Sequence, residues 1–305
     1  MVSKLTLGTA QLGMNYGISN KNGKPTQQET MDILNFAENN GIASFDTSPS
    51  YGNSEKILGS FFKKNKNKLS INIITKIPQI QFSQKSPSFD DVYDKVKEKI
   101  ITSCNNLQIN QISTCLLHEP SDMHSFDGHV VKSLIKLKKE NIIQNIGVST
   151  YTPEEVKEFL DIKEFDSIEI PMNIFDLRLM ESKLLARLNQ NKKTVFARSI
   201  YWQGLFFLEQ TNIPQYLENA RRPLNELKKI SIDYGISIPT IALSYVRDLK
   251  AITSMVIGVE NVEQLKTNIK LMDSPRLPDE VIKLIYKKFQ GLSEKLINPS
   301  KWQLG

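Results

Sequence analysis

An acid, a phenol, an amine and an imidazole stand in this chain at or near the ends of short apolar runs. The stretch SFDTSPSYGNSEKILG (44–59) closes one such run with Asp46, passes two Ser/Pro turns, and presents Tyr51 before a helical pattern opens at Asn53. Lys76 lies at the end of INIITKI, and His118 ends ISTCLLH and opens HEP. Groups of such different acidity suit the delivery of a proton to a carbonyl oxygen. Free tyrosine has a pKa of about 10, too high for easy transfer near neutrality. An adjacent ammonium such as Lys76 stabilises the phenolate and lowers that value. Asp46 would pair with the lysine and hold it in place, and a histidine at the substrate oxygen would fix its orientation. The expectation is that Asp46 tunes and Tyr51 acts. Taken singly, each residue has a plainer reading: a helix-capping Asp, a packing Tyr, a surface Lys, a satisfied polar His. Four of them at three consecutive strand ends are much harder to reach by accident.

Positioning them requires a regular frame, and the chain supplies one. Apolar, β-branched runs recur at 5–10, 42–48, 71–77, 112–118, 143–150, 167–171, 193–199 and 254–259. Their near-continuous apolarity is that of strands buried on both faces, as in parallel sheets. Amphipathic stretches lie between them, such as PTQQETMDILNFAENNG, which has a Thr and Pro at its start and Gly41 as its stop. The pattern predicts an α/β fold of the (β/α)8 TIM-barrel kind, with an insert after strand seven (206–234) and a final helix in LPDEVIKLIYKKFQGL. Residues 1–305 are expected to form a single domain, because no linker rich in Pro, Gly or Ser divides them. A doubly wound sheet is the alternative, but LGTAQLG places its glycines at the wrong spacing for a dinucleotide fingerprint. In a barrel the C-terminal strand ends converge on one mouth, which would gather Asp46, Tyr51, Lys76 and His118.

Composition removes several other classes. The chain has 305 residues, 40% apolar and 24% charged, with a net charge of +6, which is ordinary for a globular protein. No run approaches the ~18–20 apolar residues of a membrane span, and MVSKLTLGTA lacks the apolar stretch of a secretory signal. Cys104 and Cys115 make neither a disulfide framework nor a metal knuckle, so a cytoplasmic location without a metal is expected. The lysines are scattered, and the densest run, FFKKNKNKLS, reads as a solvated loop. No basic stripe is interleaved with stacking aromatics, so neither nucleic acid nor membrane is expected as a partner.

The ordered series GTAQLG, FDTSPSYGNSEKILG, ITKIP, LLHEP, GVSTY, IPMN and ARS…QGL resembles the aldo-keto reductase superfamily through nearly the whole chain. Its most specific part is FDTxxxYGxSExxLG. The resemblance implies that Asp46, Tyr51, Lys76 and His118 form the family's catalytic tetrad, with Tyr51 as general acid. It also implies hydride exchange between NADP or NAD and a carbonyl or alcohol, with no metal. Gly8, Thr9 and Ala10 would lie beside the nicotinamide. Ser199, Gln203 and Gly204, in SIYWQG, correspond to the pyrophosphate loop, where backbone N–H groups suit an anion. Trp202 in that loop is either core packing or, with Tyr16, a wall of the substrate cavity. The segment IGVENVEQLKTN matches the adenosine-binding part, opened by Gly258, with Gln264 and Asn268 one helical turn apart on one face.

Several positions depart from the family pattern. Ser149-Thr150 stand where Ser-Asn is common, and Glu169 stands where Gln is common. A glutamate can accept from a carboxamide NH2 but cannot donate to its oxygen. Arg198 replaces an aromatic that stacks on the nicotinamide; a guanidinium can stack, though its charge disfavours the oxidised ring. Glu260 would repel a 2′-phosphate, whereas Lys266 on the next turn could attract one. The polar loop QLGMNYGISNKNGK, with Asn15 and Tyr16, and nearby Asn53 lean toward a sugar-like substrate among the family's aldehydes, ketones and sugars. Two rival functions have the same overall architecture: a cofactor-binding regulatory subunit with little or no turnover, and a phosphate-handling isomerase barrel without nicotinamide. The pairing of Tyr51 with Lys76 weighs against the regulatory subunit.

Overall fold

The computed structural model describes residues 2–20, 22–64, 71–83 and 85–302. Eight parallel strands close into a barrel in chain order. They are β1 (Leu5–Gly8), β2 (Ser44–Asp46), β3 (Asn72–Ile77), β4 (Ile112–Leu117), β5 (Ile143–Ser149), β6 (Ser167–Pro171), β7 (Thr194–Arg198) and β8 (Ser254–Gly258). The sheet closes where β8 pairs with β1, with Gly258 opposite Gly8. Most of FFKKNKNKLS, expected to be a solvated loop, lies outside the described residues.

The two-residue period of a strand explains how the site is built. Ile74, Leu116 and Phe196 form a small buried cluster with Val256 packed against it, separate from the main core. Two residues further along the same strands come Lys76, His118, Arg198 and Gly258, which therefore share the face of the plug one layer higher. Side chains that fill a barrel in layers leave the uppermost layer facing the mouth. The main core lies outside the sheet, between strands and helices, and includes Phe45, Ile73, Ile146, Ile168 and Val195.

Helix starts follow their sequence signals. Thr26, Ser88 and Thr152 each close a capping box with the acid three residues on, at the helices Gln27–Asn39, Phe89–Leu107 and Pro153–Asp161. Each satisfies backbone donors that a helix leaves open at its first turn. After β7 the chain makes three short 3-10 turns between Trp202 and Ala220, then a helix over Arg221–Tyr234 that occupies the second half of the expected insert. The expected final helix spans Asp279–Phe289, and a further short turn follows at Glu294–Ile297.

Candidate active site

Four strands deliver a buried charge cluster to the barrel mouth. Lys76 on β3 is 1% exposed. Its ammonium donates to Asp46 Oδ1 at the end of β2, reaches Thr47 O at 3.4 Å, and pairs with Glu169 Oε2 on β6 at 3.4 Å. Glu169 is held in turn by Ser149 Oγ, which donates to Oε1 at 2.7 Å, and by Arg198 Nε at 3.3 Å from the same oxygen. Arg198 also donates to Thr150 O at 2.9 Å, and its guanidinium lies 4.5 Å from the centroid of the Tyr151 ring. Two carboxylates and two cations thus form one chain of contacts from β2 to β7. Desolvation works to discharge Lys76, but Asp46 and Glu169 outweigh it and hold the amine above the usual lysine range. Desolvation also opposes the charge on Glu169, yet Lys76, Arg198 and Ser149 keep this carboxyl below the usual range. Asp46 goes the other way: burial, against the pull of Lys76, pushes it up to about 7.

Tyr51 is set above this cluster by a loop with little freedom. Thr9 Oγ1 donates to Asp46 O at 2.8 Å and meets Ser54 Oγ at 2.6 Å, while Ser54 Oγ meets Thr47 Oγ1 at 2.9 Å. With one proton per hydroxyl, the chain runs Thr47 to Ser54 to Thr9 to the Asp46 carbonyl. It ties the ends of β1 and β2 to the start of the helix Ser54–Lys64. Gly13 and Gly52 allow the backbone after β1 to press on this loop. A Cβ at Gly13 would fall 1.8 Å from Tyr51 O, and one at Gly52, where φ is +59°, would fall 2.4 Å from Gly13 O. The phenol ring then stands 5.3 Å from Lys76 Nζ, measured to its centroid, and edge-on to the His118 ring at 6.0 Å and 86°.

The expected lowering of the Tyr51 pKa does not hold in the free protein. Burial raises the phenol above the usual tyrosine value; Lys76 pulls it back, but Asp46 and Glu169 offset that pull. Tyr51 is therefore fully protonated at neutral pH. Burial and the charges of Lys76 and Arg198 push His118 down to about 4, with Glu169 opposing them. The imidazole is neutral above that pH. Ser48 Oγ accepts from Ser50 N at 3.1 Å and lies 3.4 Å from His118 Nδ1. When the hydroxyl donates to Nδ1, the ring proton sits on Nε2 and is available to an oxygen.

A cavity of about 750 Å³ opens over Asp46 and Tyr51. Gly8, Thr9, Ala10 and Tyr16 line it near the phenol. Arg198, Ser199, Gln203 and Gly204 line it after β7, and Gly258, Gln264 and Asn268 after β8. Ser149, Thr150, Glu169 and Lys76 are buried and His118 is half-buried, and none of the five lines it. Tyr16 is 39% exposed as a whole; its hydroxyl nevertheless sits deep enough for burial to raise its pKa, against the pull of Arg198. Trp202 is a correction. It is 0% exposed, does not line the cavity, and packs against Phe175 at 5.0 Å, Phe206 at 5.8 Å and Trp302 at 5.7 Å. The segment beyond β8 returns to bury it, so it is a core residue and not a substrate wall.

The sequence matches the Aldo/keto reductase family over residues 4–289. The chain belongs to the aldo/keto reductase family. Similar proteins include an NADH-specific methylglyoxal reductase of Escherichia coli strain K12, 27% identical over 302 residues, spanning 89% of this chain and 90% of the relative. Another is a D-arabinose 1-dehydrogenase of Saccharomyces cerevisiae, 25% identical over 281 residues, spanning 87% of this chain and 81% of the relative. An aldo-keto reductase from Bacillus halodurans in its holo form has a similar structure, with a TM-score of 0.74 at 21% identity and coverage of 97% and 96% of the two chains.

Within this aldo/keto reductase, several residues complete the site without having stood out in the sequence. Ser48 carries a visible signal, being a hydroxyl two positions beyond a strand end. Tyr151, under the Arg198 guanidinium, follows Thr150 directly. Tyr201 donates to Asn268 Oδ1 at 2.6 Å across 67 residues, and nothing local announces that contact. Asn268 is consequently buried, with Nδ2 donating to Gln264 O at 2.9 Å, while Gln264 accepts from Glu260 N at 2.8 Å. Among the described residues, no group of three or more His, Cys, Asp or Glu is placed to hold a metal ion. No helix there is long and apolar enough to cross a membrane.

Proposed function

We propose that this protein is an NAD(P)-dependent oxidoreductase that transfers a hydride between nicotinamide and the carbonyl or alcohol of a small aldehyde, ketone or sugar-like molecule, with Tyr51 as general acid. The observation that carries this reading is the Tyr51 phenol in the cavity lining, with Lys76 Nζ 5.3 Å from its ring centroid and the His118 ring edge-on to it at 6.0 Å. The names of two relatives, a methylglyoxal reductase and a D-arabinose dehydrogenase, support a small carbonyl or sugar substrate.

The residues present fit a nicotinamide dinucleotide. Glu169 Oε2 is buried and, beyond its 3.4 Å ion pair with Lys76, has no hydrogen-bond partner among the described residues, which leaves it an acceptor for a carboxamide NH2. Ser149, Thr150 and Glu169 would hold that end, with Gly8, Thr9, Ala10 and Arg198 around the ring. Ser199, Gln203 and Gly204 would hold the pyrophosphate, and Gly258, Gln264 and Asn268 the adenosine. When bound, the cofactor supplies the hydride and its electron pair. His118 Nε2–H orients the carbonyl oxygen by hydrogen bonding. Tyr51 gives that oxygen its hydroxyl proton as the C=O π pair moves onto it, and the phenolate left behind is reprotonated from solvent. Lys76 stabilises the phenolate while it lasts, and Asp46 holds Lys76 in place.

Cofactor choice follows from the charges at the adenosine end. A 2′-phosphate demands charge-assisted donors, yet Glu260 and Glu263 line this part of the cavity. Lys266 is exposed and paired with Glu263 at 3.6 Å. NADH is therefore expected to bind comparably to NADPH. Fluorescence titration should give dissociation constants within about a hundredfold, roughly 2.7 kcal/mol; a stronger preference for NADPH would refute this role for the two acids. The same titration tests the function. Reduced cofactor should bind and should then be oxidised when methylglyoxal or an aldose is added. Binding without oxidation across a panel of aldehydes, ketones and sugars would favour a regulatory binder, and no binding would exclude both.

A further inference from the structure

We propose that Glu169 is a positioning residue that shares the Lys76 charge with Asp46, so that less of that charge is left to stabilise a Tyr51 phenolate. Its bearing on catalysis rests on the reading of Tyr51 as general acid, whereas the effect on the phenol stands without it. The geometry is specific. The alternation of β6 puts Glu169 inside the barrel, where one carboxylate faces Lys76 from β3 and Arg198 from β7 at 3.4 and 3.3 Å. Asp46 already satisfies the ammonium from β2. Lys76 thus has two carboxylates competing with Tyr51 for a single charge, and Ser149 fixes the second of them by its 2.7 Å hydrogen bond. A neutral amide at 169 would leave two cations and one carboxylate under the phenol.

The charged and titratable groups around Tyr51 come from every neighbouring strand end: Asp46 from β2, Lys76 from β3, His118 after β4, Glu169 from β6, Arg198 from β7 and Tyr16 from the loop after β1. Burial is the largest influence on the Tyr51 phenol and raises its pKa; Lys76 lowers it, and Asp46, Glu169 and Tyr16 raise it again. Glu169 acts on the phenol through Lys76, whose ammonium it pairs with at 3.4 Å and which stands 5.3 Å from the Tyr51 ring centroid. Oxidation of an alcohol needs the phenolate as base, and reduction of a carbonyl needs the phenol as acid.

Tyr51 ionisation can be followed in the cofactor-free protein by NMR of ring-labelled 13C-tyrosine, with Tyr51→Phe assigning the signal. Wild-type Tyr51 should remain protonated at about pH 10, the midpoint of free tyrosine. Glu169→Gln should begin to ionise at least about one pH unit earlier than wild type, a tenfold gain in acidity, and Glu169→Asp should return toward wild type. With cofactor, the rising limb of the pH profile for alcohol oxidation should move to lower pH in Glu169→Gln by a similar amount. Three results would overturn the proposal: wild-type ionisation below about pH 10, identical titrations in the two proteins, or a Glu169→Gln signal that never titrates before the protein unfolds. If Glu169→Gln does not fold, the wild-type titration decides. Full turnover by Tyr51→Phe would instead remove the reading of Tyr51 as acid and leave the NMR result standing.

Discussion

Replacing Tyr51 with Phe is expected to cut carbonyl reduction by ~10²- to 10⁴-fold, the usual loss on removing a general acid, while leaving cofactor affinity nearly unchanged. The change deletes one oxygen. The ring keeps its edge contact with His118 and its place over Lys76, and the Gly13–Gly52 backbone contact that seats the loop does not involve the side chain. Thermal stability should therefore stay close to wild type, and any loss of rate can be assigned to the missing proton. Steady-state turnover and fluorescence titration on the same preparation measure both quantities. A Phe variant with substantial turnover would show that Tyr51 only packs, and the proton would then have to come from elsewhere in the cavity.

The parts of this design visible in the sequence are those with a local cause. Strands buried on both faces announce themselves by continuous apolarity, and capping boxes by spacing, so the barrel frame and its helix starts were open to inspection. Asp46, Lys76 and His118 could be placed together because each ends an apolar run, and the C-terminal strand ends of a barrel converge on one mouth. Contacts that depend on register between distant segments had no such signal. The pairing of Glu169 with both Lys76 and Arg198 needs β3, β6 and β7 at one height around the barrel, and the sequence showed Glu169 only as a substitution for an amide. Trp202 lay in a loop that borders the cavity, yet it is buried by Trp302 one hundred residues later. The direction of the Tyr51 shift also escaped local reasoning, because one adjacent lysine was weighed without burial and the second carboxylate.

Removing Lys76 should damage the fold and the chemistry by separable routes. Lys76→Met leaves Asp46 and Glu169 facing the same buried space, with Arg198 close to Glu169 but no cation beside Asp46. Deleting one member of a buried ion pair costs about 3–5 kcal/mol, so the denaturant midpoint should fall well below wild type at alkaline pH, where Asp46 is ionised in the wild-type fold. The pH dependence of that deficit has a definite sign. Asp46 is already raised to about 7 with the ammonium present, and without it the folded-state pKa must rise further. A carboxyl whose pKa is higher in the folded than in the unfolded chain contributes stability below its unfolded value and loses it as pH rises through the folded one. The deficit relative to wild type should therefore be small below pH ~7, where Asp46 is protonated in both folded proteins, and grow above it, reaching its full size only once the pH passes the variant's still higher folded-state pKa. Catalysis should not recover along with the fold. Protonating Asp46 removes its penalty, but it does not restore a cation beside the Tyr51 ring, and the phenolate that forms during reduction would still lack its stabilising charge. Reduction rates should stay at least ~10²-fold below wild type even at the acidic pH where the variant is well folded. Denaturation curves and turnover recorded at pH ~5 and ~9 on the same variant test both halves; wild-type stability at the higher pH, or recovered turnover at the lower one, would contradict the role given to the buried ammonium.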